Sequence, residues 1–260
     1  MAFTVHAVMP GVWHIVDCMG VCMTLLEGEN AAMLVDTGYG IEDVADFMRH
    51  MTDLPLTVFL THNHHDHAMG ARCFPETYML EADMADWRMF TDDKMRRRVL
   101  TQAIGKNLPV DEKTFLAGEI PLPKVMKPGV IDLGGLTAEI IEAPGHTPGS
   151  AVVYVPERKL LLSGDDWNPC TWLFFPQALG LREYRSNMRG IQQLPFEKVL
   201  CPHREALYDR WMFDDFFNAL TDGNLRAAEP VNIAPYEQID TCQATLPHDQ
   251  VPVSYTHLTL

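Results

Sequence analysis

The sequence predicts an α/β protein in which sheets pack together with helices outside them, and three observations carry that reading. Short apolar runs bounded by Gly, Pro or Asn turns fill both the first third and the second half of the chain. Each strand-rich half also carries stretches with helical spacing, and such elements bury their apolar faces best as stacked layers. A length of 260 residues with 47% hydrophobic and 21% charged side chains is enough to bury a sizeable core.

Taken in order, residues 12–17, 22–27 and 31–36 read as strands, broken by Gly20, by Gly28-Glu29-Asn30 and by Gly38. Residues 41–51 place Ile41, Val44, Phe47 and Met48 at helical spacing. Residues 56–60 form a β-rich run that stops at Thr61-His62, and 77–80 is a further short run. Residues 81–106 hold no Pro, one Gly and many helix formers, which predicts one long helix or a helical pair. In the second half, 130–133, 137–142, 151–155 and 159–162 are strands joined by Gly or Pro turns. Residues 181–194 are helical, 198–200 a short strand, and 205–224 helical again.

Periodicity ends near Ala227, so residues 1–226 are expected to form the domain. Residues 227–260, punctuated by Pro230, Pro235, Pro247 and Pro252, are expected to be a loose tail. Residues 253–260 read like translated sequencing-adapter sequence, so they are expected not to be native, and His257 is assigned no chemistry.

With 35 acidic and 20 basic residues the formal charge is −15, a field that repels phosphodiester backbones. No apolar run approaches the roughly 18–20 residues of a membrane span. The first residues lack the basic and apolar regions of a secretion signal. Six cysteines are scattered without C-x-x-C spacing, which fits reduced thiols. The expectation is a cytoplasmic protein acting on a small molecule, with no nucleic-acid or membrane partner.

The chemistry concentrates in Thr61-His62-Asn63-His64-His65-Asp66-His67, straight after an apolar strand. Alternate residues leaving a strand end can converge, so His62 and His64 suit one ion. Asp66 and His67, on the turn that follows, can face a second ion nearby. Four histidines within six residues are hard to explain by packing. His65 should point away and is excluded. Three further strand ends carry similar groups: His146 in a tight Gly/Pro turn, Asp165 after Gly164, and His203 after Cys201-Pro202. Each is weak alone, but their common placement makes the combination strong. Imidazole and carboxylate suit zinc, with iron or manganese as alternatives.

The Asp36-Thr37-Gly38 turn, the H-x-H-x-D-H block, Gly145-His146-Thr147, Gly164-Asp165 and the late His203 together resemble the metallo-β-lactamase-fold superfamily. The block and the Gly-His-Thr-Pro-Gly-Ser turn are similar to those of glyoxalase II and its relatives. The resemblance implies an αββα four-layer sandwich with two divalent metal ions at one edge of the sheets. It implies His62, His64 and His146 around the first ion, Asp66, His67 and His203 around the second, and Asp165 bridging both. Asp36 would stand beside the site without ligating. The last histidine usually follows glycine but here follows Pro202, which leaves His50 and His248 as substitutes, although neither lies at a strand end. The stretch 166–175 departs from the glyoxalase pattern, so the substrate is not transferred with the ligands.

Metal coordination lowers the pKa of water to about 7, so a metal-bridging hydroxide oriented by a catalytic Asp66 is the expected nucleophile. No G-x-S-x-G elbow, Walker loop or dinucleotide fingerprint competes. The expected activity is hydrolysis of a small ester, thioester or lactone. The alternatives are a persulfide-dioxygenase-like oxidoreductase, with one iron on His62, His146 and Asp165, and a non-enzymatic metal-binding protein. Trp167, Trp172, Phe174 and Phe175 would line an apolar entrance or belong to the core, and Met84, Trp87, Met89, Phe90 and Met95 on the long helical segment would form a lid or pack beneath it. Arg96-Arg97-Arg98 reads as a solvated helix face before an anion-recruiting one.

Overall fold

The computed structural model describes residues 3–232, 241–246 and 250–255. Its first sheet has seven strands in sequence order: β1 (Thr4–Met9), β2 (Val12–Val16), β3 (Cys22–Glu27), β4 (Ala32–Val35), β5 (Leu56–Phe59), β6 (Tyr78–Met79) and β7 (Lys124–Val125). β1 to β4 are antiparallel neighbours, and β4 to β7 run parallel. The pattern of apolar runs anticipates β2 to β6 but not β1 or β7. β1 is an edge strand with no fully buried residue and β7 has only two residues, so neither carries the contrast that marks a strand in sequence.

The remaining strands are β8 (Gly129–Asp132), β9 (Thr137–Glu142), β10 (Ala151–Val155), β11 (Leu160–Leu162), β12 (Thr171–Leu173), β13 (Lys198–Leu200), β14 (Tyr208–Asp209), β15 (Glu229–Val231), β16 (Thr241–Leu246) and β17 (Gln250–Tyr255). Six of them form a second sheet in the order β14-β13-β11-β10-β9-β8. A third sheet is ordered β12-β17-β16-β15, so the stretch expected to be loose contains three strands. Backbone pairing to β12 supplies hydrogen bonds that no side-chain period announces. His248 and His257 lie outside the described residues.

Helices α1 (Val44–Met51), α2 (His65–Ala68), α3 (Trp87–Thr91), α4 (Asp93–Gly105) and α5 (Glu112–Phe115) belong to the first half. α6 (Leu181–Gln192), α7 (Arg210–Ala219) and α8 (Asp222–Arg226) belong to the second. The long helical stretch is a 3-10 turn at Glu81–Asp86 followed by α3 and α4. It breaks at Asp92, whose extended backbone (ψ 170°) lets the side chain accept from Met95 N–H and cap α4. Among the described residues no helix is long and apolar enough to cross a membrane.

Strand alternation sorts the layers. Leu26, Met33, Val35 and Phe59 face Ile140, Val153, Leu160 and Leu162 between the two main sheets. Leu25, Leu34 and Val58 point outward against Val44 and Met48 of α1. Val152, Tyr154, Leu161 and Val199 point the other way, against Leu181, Met188 and Ile191 of α6 and Phe213 and Phe216 of α7. The result is helix, sheet, sheet, helix: the αββα sandwich. β5, β11 and β13 and the β9–β10 turn all end at one edge, where the chain leaves the sheets.

Candidate metal centre

Each donor sits where a strand stops. After β5 the chain runs through His62 to His64, whose extended backbone (φ −63°, ψ 147°) opens α2 and places Asp66 and His67 in its first turn. His146 occupies the β9–β10 turn, and Asp165 follows β11 after Gly164. Gly164 has φ +51° and is crowded, since a Cβ there would stand 3.3 Å from Thr61 Oγ1. His203 lies three residues past β13. Pro202, in place of the usual glycine, gives its carbonyl to Cys22 N–H at 2.7 Å and anchors the turn to β3.

These elements converge. Donor atoms of His62, His64 and His146 lie within 4.8 Å of one another, as do those of Asp66, His67 and His203, and those of His62, His67 and Asp165. His64 Nδ1 is 2.9 Å from His146 Nε2. Asp165 Oδ2 is 3.5 Å from His146 Nε2 and 3.5 Å from His67 Nε2, so its carboxylate stands between the two outer sets. Asp66 Oδ2 is 3.7 Å from the Nε2 atoms of both His67 and His203. His65 enters none of these groups and meets the Tyr39 ring edge-on at 5.5 Å. His50 is on α1, bonded to the Asp46 carbonyl, away from the centre.

Outward acceptors fix how the rings face. Asp36, in left-handed backbone (φ 64°), accepts from His67 Nδ1 at 3.0 Å and from Thr61 N–H at 2.7 Å. The Thr61 hydroxyl donates to Asp36 Oδ2 at 2.9 Å, which leaves its lone pair to accept from His62 Nδ1 at 3.1 Å. His146 Nδ1 donates to the Trp172 carbonyl at 2.7 Å. With Nδ1 of all three rings engaged outward, each Nε2 faces inward, where the neutral ring offers its lone pair to a cation. His62 Nε2 and His67 Nε2 are buried with no hydrogen-bond partner. Other buried polar atoms also lack partners, Trp87 Nε1 and Trp167 Nε1 among them, but the two histidine nitrogens lie inside the cluster of donors, where a bound cation would satisfy them.

The charges agree. Burial, reinforced by neighbouring imidazoles, pushes His62 and His64 well below the ordinary histidine range, and burial lowers His146 too. Burial alone would also lower His67 and His203, but Asp165 and Asp66 outweigh it and raise both. Burial opposes ionisation of Asp66 and Asp165 as well. Facing histidines, His67 foremost for Asp66 and His203 for Asp165, overcome it, holding Asp66 at about 2 and Asp165 well below its usual value. A buried pair of ionised carboxylates needs positive charge beside it, which divalent cations supply.

Above the donors opens a cavity of about 720 Å³ whose floor includes His64, Asp66, Asp165 and His203. Met89, Phe90 and Met95 of α3 and α4 form one wall, and Trp172 and Phe175 another. The rings of Phe90 and Phe175 lie 4.5 and 5.0 Å from that of His64. Trp87 and Trp167 belong to the core instead, both fully buried. The basic cluster also divides, against the expectation of a solvated face. Arg96 is buried and donates to the carbonyls of Phe115, Ala117 and Gly118, Arg97 pairs with Asp93, and Arg98 lines the cavity with Arg204.

Two further buried carboxylates lie near the histidines: Asp166, at the same strand end as Asp165, and Asp83, which carries no signal in the sequence. Asp166 Oδ1 accepts the His146 backbone N–H at 2.9 Å, and burial raises its pKa well above the carboxylate range. Asp83, within the helical stretch, reaches the loops of both His64 and His146.

The family model of the metallo-beta-lactamase superfamily matches residues 16–203. The chain is similar to the acyl-coenzyme A thioesterase MBLAC2 of Gallus gallus, with 26% identity over 202 residues, covering 69% of this chain and 70% of that protein. Its fold is similar to that of a metallo-beta-lactamase from Pontibacter korlensis, with a TM-score of 0.60 and 18% identity, covering 84% of this chain and 98% of that one. It is also similar to the structure of TTHA1623 in a di-iron-bound form, with a TM-score of 0.51 and 21% identity, covering 75% of this chain and 92% of that one.

Proposed function

The chain belongs to the metallo-beta-lactamase superfamily, and from that premise we propose that it is a metal-dependent hydrolase of acyl thioesters. The observation that carries the reading is the pair of donor sets with the Asp165 carboxylate between them, at the floor of an apolar-walled cavity. Similarity to an acyl-coenzyme A thioesterase favours thioesters over the esters and lactones that the same chemistry would accept. His62, His64 and His146 would hold one divalent cation, and Asp66, His67 and His203 a second, with Asp165 between them. Zinc suits these donors best, with iron or manganese as alternatives. When bound, the cations supply a water acidic enough to attack at neutral pH and draw electron density from the scissile carbonyl.

The chain's own side chains do the rest. Ionised Asp66 accepts a hydrogen bond from the attacking water and orients it. Asp36, Thr61 and the Trp172 carbonyl keep the imidazoles in the ligating tautomer. Phe90, Met95 and Phe175 shield the acyl group from bulk water. Arg98 and Arg204 put positive charge at the cavity of a chain whose net charge is −15, which suits a carrier with anionic groups.

The test is elemental analysis of protein purified without added metal, followed by turnover of ester, thioester, lactone and phosphodiester substrates. Two divalent ions per chain and thioester turnover that stops on chelation are expected. One iron per chain with oxygen consumption would replace this reading with persulfide oxidation.

A further inference from the structure

We infer that Asp83 is a positioning residue that sets the spacing of the two histidine loops, and so the affinity of the three-histidine site in particular. The inference rests on the reading that His62, His64 and His146 hold a cation. Asp83 sits on the 3-10 turn Glu81–Asp86 and is 1% exposed. Its carboxylate accepts from Asn63 N–H at 3.1 Å, from the Thr147 hydroxyl at 2.7 Å and from Gly149 N–H at 2.6 Å. Its carbonyl accepts from Asn63 Nδ2 at 2.9 Å. Asn63 stands between His62 and His64, and Thr147 follows His146, so one buried side chain clamps both sources of donors.

The clamp is tight. A Cβ on Gly149 would fall 2.7 Å from Asp83 Cγ and 2.6 Å from its backbone nitrogen, so only glycine lets the His146 loop come this close. The loops have one other backbone tie, from Ala151 N–H to the Thr61 carbonyl at 2.9 Å, on the sheet side of the histidines. The Asp66, His67 and His203 group is held differently. His67 N–H bonds the His64 carbonyl, Thr37 N–H bonds the His67 carbonyl, and Asp36 takes His67 Nδ1. None of these bonds passes through Asp83. Loss of the clamp therefore strikes one set of donors and spares the other.

Metal-free wild type, Asp83→Ala, Asp83→Asn and Thr147→Val are titrated with cobalt(II) against a chromophoric chelator while the cobalt absorption bands are followed. In wild type two ions bind. In Asp83→Ala and Thr147→Val one ion binds with wild-type affinity, and the other about 10–100-fold more weakly, the usual cost of losing a partner behind the ligands. Asp83→Asn falls between, because its amide keeps one of the two acceptor oxygens. Thr147→Val keeps the β-branched shape and decides the matter if Asp83→Ala does not fold. Unchanged affinities, or equal weakening of both sites, would overturn the inference. A wild type that binds no cobalt would overturn the reading beneath it and the inference with it.

Discussion

The two donor sets share a floor but differ in how they are made. Around His62, His64 and His146 the rings are depressed by burial and stand neutral, and their spacing depends on loops that belong to different sheets. Around His67 and His203 carboxylates outweigh burial and raise the rings, and two of the three donors, Asp66 and His67, come from a single turn of α2. One set is held by geometry imposed from afar, the other by local chain and local charge. Asp165 belongs between them, which makes it the point where the contrast can be tested.

The largest effect is expected from the donors that only tertiary contacts bring together. His62→Ala and His146→Ala should each abolish turnover, read as kcat/KM on a thioester. Full activity in either would remove that residue from the set. Next comes Asp165→Asn, which keeps the shape but removes a charge shared by both sets. Metal content should fall from two ions toward one, and turnover by about two orders of magnitude, a usual cost of losing key electrostatic stabilisation. Elemental analysis and kinetics on the same preparation check both.

A smaller and sharper contrast comes from Asp166. Asp166→Asn retains an oxygen to accept the His146 N–H, so activity should stay within several-fold of wild type. Asp166→Ala leaves that N–H buried without a partner and should cost about 1–3 kcal/mol in denaturant unfolding. Equal behaviour of the two variants would show that the hydrogen bond is not what matters there. The smallest effect is expected from His65→Ala. His65 shares α2 with Asp66 and His67 but enters no donor group, so metal content and most turnover should persist.

The clustered histidines and carboxylates were legible in the sequence for a local reason. A histidine or aspartate at the end of an apolar run marks the edge of a sheet whatever its neighbours are, and seven such residues could be named from spacing and resemblance alone. The histidine at 203 illustrates the limit of that logic. Pro202 broke the familiar pattern, and the bond from Cys22 N–H to its carbonyl is what keeps the turn in place. That bond joins β3 to the end of β13, and nothing in residues 201–203 announces it.

What the sequence by itself determined is whatever repeats on the scale of one element: the apolar runs of β2 to β6 and β8 to β11, the helical spacing of α1, and the histidines and carboxylates at strand ends. Period and turn chemistry are properties of a few neighbouring residues, so they survive without knowledge of the fold. The tertiary structure decided everything that depends on distant pairs. It brought His64 and His146 together across 82 positions and Asp83 and Thr147 across 64. It divided one run of aromatics, sending Trp167 to the core and Trp172 and Phe175 to the cavity. It also divided three consecutive arginines among a buried clamp, a surface pair and the cavity lining. The side chains in each run are chemically alike, and only the packing around them gives each a different partner.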